Sequence, residues 1–323
     1  MDRKSFEELV QESSGLNGHS HTNGHDLLME PDEGFELTDE MDHEILMHRD
    51  AHFGGDFNVM LQYYEEDGIG VNPDFDFERI VYLKEVEDQI DGNLAALVLS
   101  IPEAERVAKA RATYTQLKEV YEGDNDLAKL VADLILCEEE EPEELVEEIL
   151  EMNERIIPDL IRIVESADAY DPLSPGYGLA PALAIHCLGE LGEARAVVPI
   201  FERFGSEMLF DEEILLEALQ KIGEPAKEFL LRILRSRPIT SDNIHAAFAL
   251  TSFAQDPDIA ICAYEELQSP EIRDKPLLST YLLCQCDALQ GTPHREKFIA
   301  MAQDSALPKA MRLEIENIVR DWK

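Results

Sequence analysis

The stretch HCLGELGEARAVVPIF (186–201) recurs as EALQKIGEPAKEFLLR (217–232), 31 residues further on, and this match decides the fold. Three copies stay in register: Leu188, Leu219 and Leu250; Leu191, Ile222 and Phe253; Gly192, Gly223 and Ala254. An acidic residue then precedes Ala or Pro, as Glu193-Ala194, Glu224-Pro225 and Asp256-Pro257. Each unit therefore reads as a helix closed by a small residue, a tight turn, and a second helix opened by an acidic cap and proline. The second helices carry apolar residues at i, i+4 and i+7: Val197, Phe201, Phe204; Ala226, Leu230, Ile233; Ala260, Tyr264, Leu267. One such pair cannot bury its apolar face alone, so neighbouring pairs must stack.

The pattern extends both ways. IIPDLIRIVES (156–166) matches VVPIFERFGS (197–206) after an extra insertion, ADAYDPLSPGYG (167–178), whose prolines and glycines mark an inserted loop. Downstream, Pro276 opens LLSTYLLCQCDAL, Gly291-Thr292-Pro293 makes the turn, and EKFIAMAQD pairs with it. Pro308 opens a last helix, KAMRLEIENIVRDW, expected to close the stack. LGELGEARAVVPIF and LQKIGEPAKEFLL resemble HEAT repeats, most of all the short repeats of phycobilisome-lyase type, over about residues 142–323. That resemblance implies an α-α superhelix, a HEAT-like solenoid. Some short-repeat relatives act as lyases on tetrapyrrole chromophores or repair damaged protein–cofactor links, which implies an alternative activity.

Upstream, capped apolar segments predict further helices. One carries Met41, Ile45, Leu46 and His48 and stops at Gly54-Gly55; Asp56 caps FNVMLQYYEED; Asp74 or Asp76 caps a third around Ile80 and Leu83. NLAALVLS follows, and Pro102 opens a long helix with Val107, Ala110, Tyr114, Leu117 and Val120 along one side. No strand-period run is present, so the class is all-α. Residues 1–38 are expected to form a disordered tail containing His19, His21 and His25; residues 39–122 an N-terminal helical region that could cap the solenoid; residues 123–323 the repeats.

Charge restricts function. The 69 acidic residues against 27 basic ones give −42, and residues 1–100 alone hold 25 acidic and 5 basic side chains. Phosphate contacts need clustered Lys and Arg, so nucleic acid is excluded as a partner, as is an anionic membrane. A basic patch on another protein is the complementary partner. No apolar run spans a membrane and no signal-peptide core follows Met1, which points to the cytoplasm. The five cysteines are odd in number and scattered, as expected of reduced, buried structural thiols.

No phosphate loop, serine elbow or zinc-helix motif is present, so no catalytic residue and no cofactor or metal is assigned. His186 and Cys187 are adjacent on one helix and point apart, which excludes a dyad. Three places remain as contact surfaces for a partner. DHEILMHRDAHFGGDF (42–57) and the helix after it offer His48, Asp50, His52, Asp56, Tyr63 and Tyr64. His48-x-Asp50-x-His52 would gather three ligands on an extended chain, whereas helical geometry is expected to splay them into an exposed polar end. The run EEEEPEELVEEILEMNE (138–154) holds ten glutamates, with Glu138, Glu139, Glu140 and Glu141 as a ridge for a basic partner; the plainer reading is a solvated face. The inserted loop adds Tyr170, Asp171 and Tyr177. Together these predict a non-enzymatic adaptor with an acidic repeat surface; a chaperone or decoy for a basic protein is the further alternative.

Overall fold

The computed structural model describes residues 40–65, 75–90, 92–139, 141–206, 212–253 and 255–322. The expected tail, with His19, His21 and His25, lies outside them, as do Pro73, Glu140 and Ala254. The described residues are all-α, with eighteen α-helices and no strand, and none of the helices is long and apolar enough to cross a membrane.

The chain divides into two compact units: residues 1–124 with 172–178, and residues 125–171 with 179–323. In the first unit the helices are α1 (Glu40–His52), α2 (Phe57–Glu65), α3 (Phe77–Ile90), α4 (Leu94–Val98) and α5 (Ile101–Glu122). Local chemistry sets their starts. Asp56 accepts the Asn58 amide at 2.8 Å, Asp76 that of Glu78 at 3.0 Å, and Asn93 that of Ala96 at 2.9 Å. Asp76 is thus a residue at the head of α3, while the other expected cap, Asp74, lies outside the described residues.

Ion pairs run through this unit's interior. Asp42, fully buried on α1, accepts both Nε and Nη2 of Arg79 on α3, at 2.6 and 2.5 Å. Seven residues along α1, the fully buried Arg49 donates to Asp50 and to Glu87 of α3, and its guanidinium lies 4.6 Å from the Phe57 ring centre. Glu87 also accepts the Leu94 amide, which fixes α4. The head of α5 carries a capping box: Glu103 accepts the Ser100 amide at 2.6 Å and meets His43 Nδ1 of α1 at 2.7 Å. Burial alone would raise the Glu103 carboxyl, but the hydrogen bonds from Ser100 and His43 outweigh it and take the pKa down to about 2.

The second unit holds α6 (Asp126–Leu136), α7 (Glu143–Glu151), α8 (Ile157–Glu165), α9 (Ala180–Glu190), α10 (Val197–Phe201), α11 (Glu213–Ile222), α12 (Glu224–Leu234), α13 (Ser241–Ala249), α14 (Pro257–Glu266), α15 (Pro270–Arg273), α16 (Pro276–Gln285), α17 (Arg295–Met301) and α18 (Lys309–Asp321). The repeat pairs appear as α9–α10, α11–α12 and α13–α14, while α6 and the short α15 carry no repeat signature. First helices contact one another in order, α9 on α11, α11 on α13, α13 on α16 and α16 on α18. One apolar core runs from Leu130 to Trp322, and the registered Leu188, Leu219 and Leu250 are buried in it. Gly223 closes α11 at φ +78°, a left-handed conformation that costs glycine little.

Three cysteines, Cys187, Cys262 and Cys286, are buried as expected, and Cys137 is half-buried. Cys284 corrects the expectation: it is exposed, because two residues along a helix turn it away from the face that buries Cys286.

Two predictions follow from the packing. A Cβ on Gly189 of α9 would lie 2.7 Å from the Ala218 Cα and 3.0 Å from its Cβ on α11. Gly189→Ala gains ~1 kcal/mol of helix propensity but incurs an overpacking cost of about 1–3 kcal/mol, so thermal unfolding should show a net loss. A raised Tm would mean that α9 and α11 separate without cost. Glu103 acts on pH. Its carboxylate is the form the fold binds, so its stabilisation is complete above pH 4.5 and lost as pH falls toward 2. The stability gap between wild type and Glu103→Gln, followed by urea unfolding, should therefore narrow steadily from pH 5 to pH 2.5.

Candidate functional site

The histidines singled out in α1 are not an exposed polar end. His48 is 1% exposed, its ring stacked 5.1 Å from His52 and 6.0 Å from Tyr177, with Phe75 edge-on at 5.1 Å. The expected splaying holds only for Asp50, which turns away to bind Arg49. His48 and His52 are four apart and share a face. His52 Nδ1 lies 2.7 Å from the Tyr114 hydroxyl, and the Tyr177 ring is centred 4.6 Å from the His52 ring. Tyr63 and Tyr64, both half-buried, continue the ring cluster through Phe53 and Phe75. Asp56 is exposed, and its carboxyl is held below the usual range by hydrogen bonds from the Asn58 backbone and side chain.

The inserted segment behaves differently from an exposed loop. Tyr177 and Tyr170 are each 4% exposed, so neither ring forms a contact surface, and they belong to different units. Tyr177 sits at φ +54°, a conformation that costs a non-glycine residue of order 1–2 kcal/mol, and its buried ring stacks on His48 and lies tilted against His52. Tyr170 donates its hydroxyl to the Val164 carbonyl at 2.9 Å; burial pushes its pKa up to about 12 against the opposing pull of Arg203. Asp171 is half-buried beside it. Of the glutamate run, Glu138, Glu139 and Glu141 are exposed. None of this gathers reactive groups. Among the described residues no three His, Cys, Asp or Glu side chains could hold a metal ion. Burial pushes Cys187 up to about 12 and Cys262 up to about 11, so both are neutral thiols near pH 7.

The second unit carries a surface that sequence periodicity did not single out. A groove of ≈ 670 Å³ runs between α10, α12 and the head of α13. Phe201, Phe204, Phe229 and Ile233 form its floor, with Phe201 and Phe229 edge-to-face at 5.3 Å. Val198 adds an apolar wall at 46% exposure, and the exposed Glu202 and Asp242 stand beside it. His245 stacks 6.0 Å from Phe204, and Arg232 lies over the outer ring, Phe229, at 5.4 Å. The signal for it was Val198: it follows Val197 directly and so falls off the face that Val197, Phe201 and Phe204 share.

Comparison with known protein families, curated proteins and solved structures finds no match to this chain.

Proposed function

We propose that the second unit is a HEAT-like α-α superhelix acting as a non-enzymatic interaction scaffold, whose groove takes an amphipathic, basic segment of another protein. The ordered contacts of α9, α11, α13, α16 and α18 support the superhelix. The groove carries the function. Val198 leaves nearly half its surface in water next to an aromatic floor, a combination that a monomer gains nothing from and a docked helix would cover. Glu202 and Asp242 at its edge, within a chain of net charge −42, favour Lys and Arg on the incoming segment. Reactive groups are lacking at this surface, which favours binding over catalysis.

A second reading rests on the same floor. Phe201, Phe204, Phe229 and His245 offer flat rings, and the Arg232 guanidinium over Phe229 adds a cation beside them, a combination a tetrapyrrole would need. A saturable absorbance shift on titration with biliverdin would favour it.

The scaffold reading is tested with a fluorescein-labelled helical peptide of alternating Leu and Lys faces, followed by anisotropy. Binding should weaken with salt, and Val198→Arg should raise Kd about tenfold through lost apolar burial and charge repulsion. Equal affinity for wild type and Val198→Arg would remove the groove from the interaction.

A further inference from the structure

The groove of the second unit has two chemically different ends. Its floor holds two ring pairs: Phe201 meets Phe229 of α12 edge-to-face, and Phe204 stacks on His245 of α13. The centres of Phe201 and Phe204 lie 5.8 Å apart, so one pair follows the other along the groove. Asp242 precedes His245 by three residues and also lines the groove, which places its carboxylate at the Phe204 end. Arg232 follows Phe229 by three residues on α12 and lies over that ring at 5.4 Å, which places its guanidinium at the Phe201 end.

Arg232 stands apart from the cations around it. Lys227, earlier on the same helix, is held by Glu224 and Asp256 at 2.8 and 3.0 Å. Arg235 and Arg237, just after it, reach Glu265 and Glu266 of α14 at 4.0 and 2.6 Å. Arg232 is exposed and pairs with no carboxylate among the described residues, not even Glu228 four residues back on its own helix. It does so in a chain that offers 69 acidic side chains for 27 basic ones. Stacking on Phe229 holds the guanidinium to the ring instead.

A guanidinium lying on a ring keeps the N–H donors of its edge, and water meets them in the free protein. A helix seated on Phe201 and Phe229 shuts that water out. A covered cation without a partner is costly, so an occupant bringing only Lys and Arg leaves this end of the groove unfavourable. A carboxylate on the occupant removes the cost, because it matches the planar fork with two parallel hydrogen bonds. Elsewhere the demand is opposite: Asp242 at the far end and Glu202 beside α10 are exposed carboxylates that take cations.

We propose that the groove selects an amphipathic helix of another protein with mixed rim charges: Lys or Arg against Asp242 and Glu202, and one Asp or Glu paired with Arg232. This rests on the scaffold reading of the groove and names the kind of segment it takes. The net charge of −42 demands the reverse at that one position, because a long-range field favours Lys over Glu everywhere on the occupant. The sign of a single substitution in the occupant therefore separates contact from field.

The test compares the fluorescein-labelled Leu/Lys helical peptide with a set in which each Lys in turn is replaced by Glu, by anisotropy on the full chain. In the wild-type protein one replacement should tighten binding about threefold while the others weaken it. In Arg232→Glu that same replacement should weaken binding, and in Arg232→Gln the preference should vanish without inverting. Circular dichroism reports the folding of both variants. Weakening by every replacement in the wild-type protein overturns the proposal without reference to any variant, as does an unchanged preference in a folded Arg232→Glu. If no peptide binds, the all-lysine one included, the scaffold reading falls as well. If the all-lysine peptide binds, loses affinity in Val198→Arg and gains from no Glu, the carboxylate partner alone falls. A biliverdin absorbance shift lost in Arg232→Glu, with no favoured Glu among the peptides, would give the guanidinium to a pigment carboxylate and overturn the helical occupant.

Discussion

A helix of about ten residues is too short to be stable in water by itself, and most helices of the second unit are of this length. Each therefore depends on its neighbours' apolar faces, which is why a single core runs from Leu130 to Trp322 rather than a series of local ones. The demand is met most tightly where Gly189 lets α9 reach the α11 backbone at Ala218. At α10 the covering element is short, spanning only five residues beside the eleven of α12. At 1.5 Å per residue, α10 covers about half the length of α12. The groove over Phe229 and Ile233 is the uncovered remainder, so the candidate docking surface is a consequence of one helix being short.

The first unit solves the same problem with charge. Asp42 and Arg49 are fully buried on α1 and paired to Arg79 and Glu87 of α3. Such pairs contribute little net stability against an apolar alternative, but removing one partner costs about 3–5 kcal/mol. What they fix is register. Two oppositely signed pairs on the same two helices admit one alignment of α1 against α3, and Glu87 carries the constraint on to α4 through the Leu94 amide. The His43–Glu103 contact does the same for the head of α5.

The all-α class and the helix pairs of the second unit were legible because the registered leucines, glycines and acid-proline turns are local signals read within about forty residues. The ring cluster of the first unit was not. His48 looked polar and exposed because nothing in its own helix says that residues 172–178 join that unit and place Tyr177 against it. Tyr170 and Tyr177 looked alike for the same reason, as two aromatics in one Pro- and Gly-rich loop, yet separate partners bury them. The long-range side-chain bonds of the second unit were equally hidden, since Asp287–Trp322 spans 35 residues and Gln285–Ala247 spans 38. Side-chain pairing at that separation leaves no periodic trace.

The net charge and the proposed groove act over different ranges. A field from −42 charges is felt by any cation, but physiological salt screens it within roughly 8 Å, so it governs how often a basic protein arrives rather than which one stays. Selection needs contact. Val198 and the phenylalanines reward apolar area, which an amphipathic helix supplies. On the proposed reading, the field brings basic partners to the protein and the apolar area of the groove decides which of them stays.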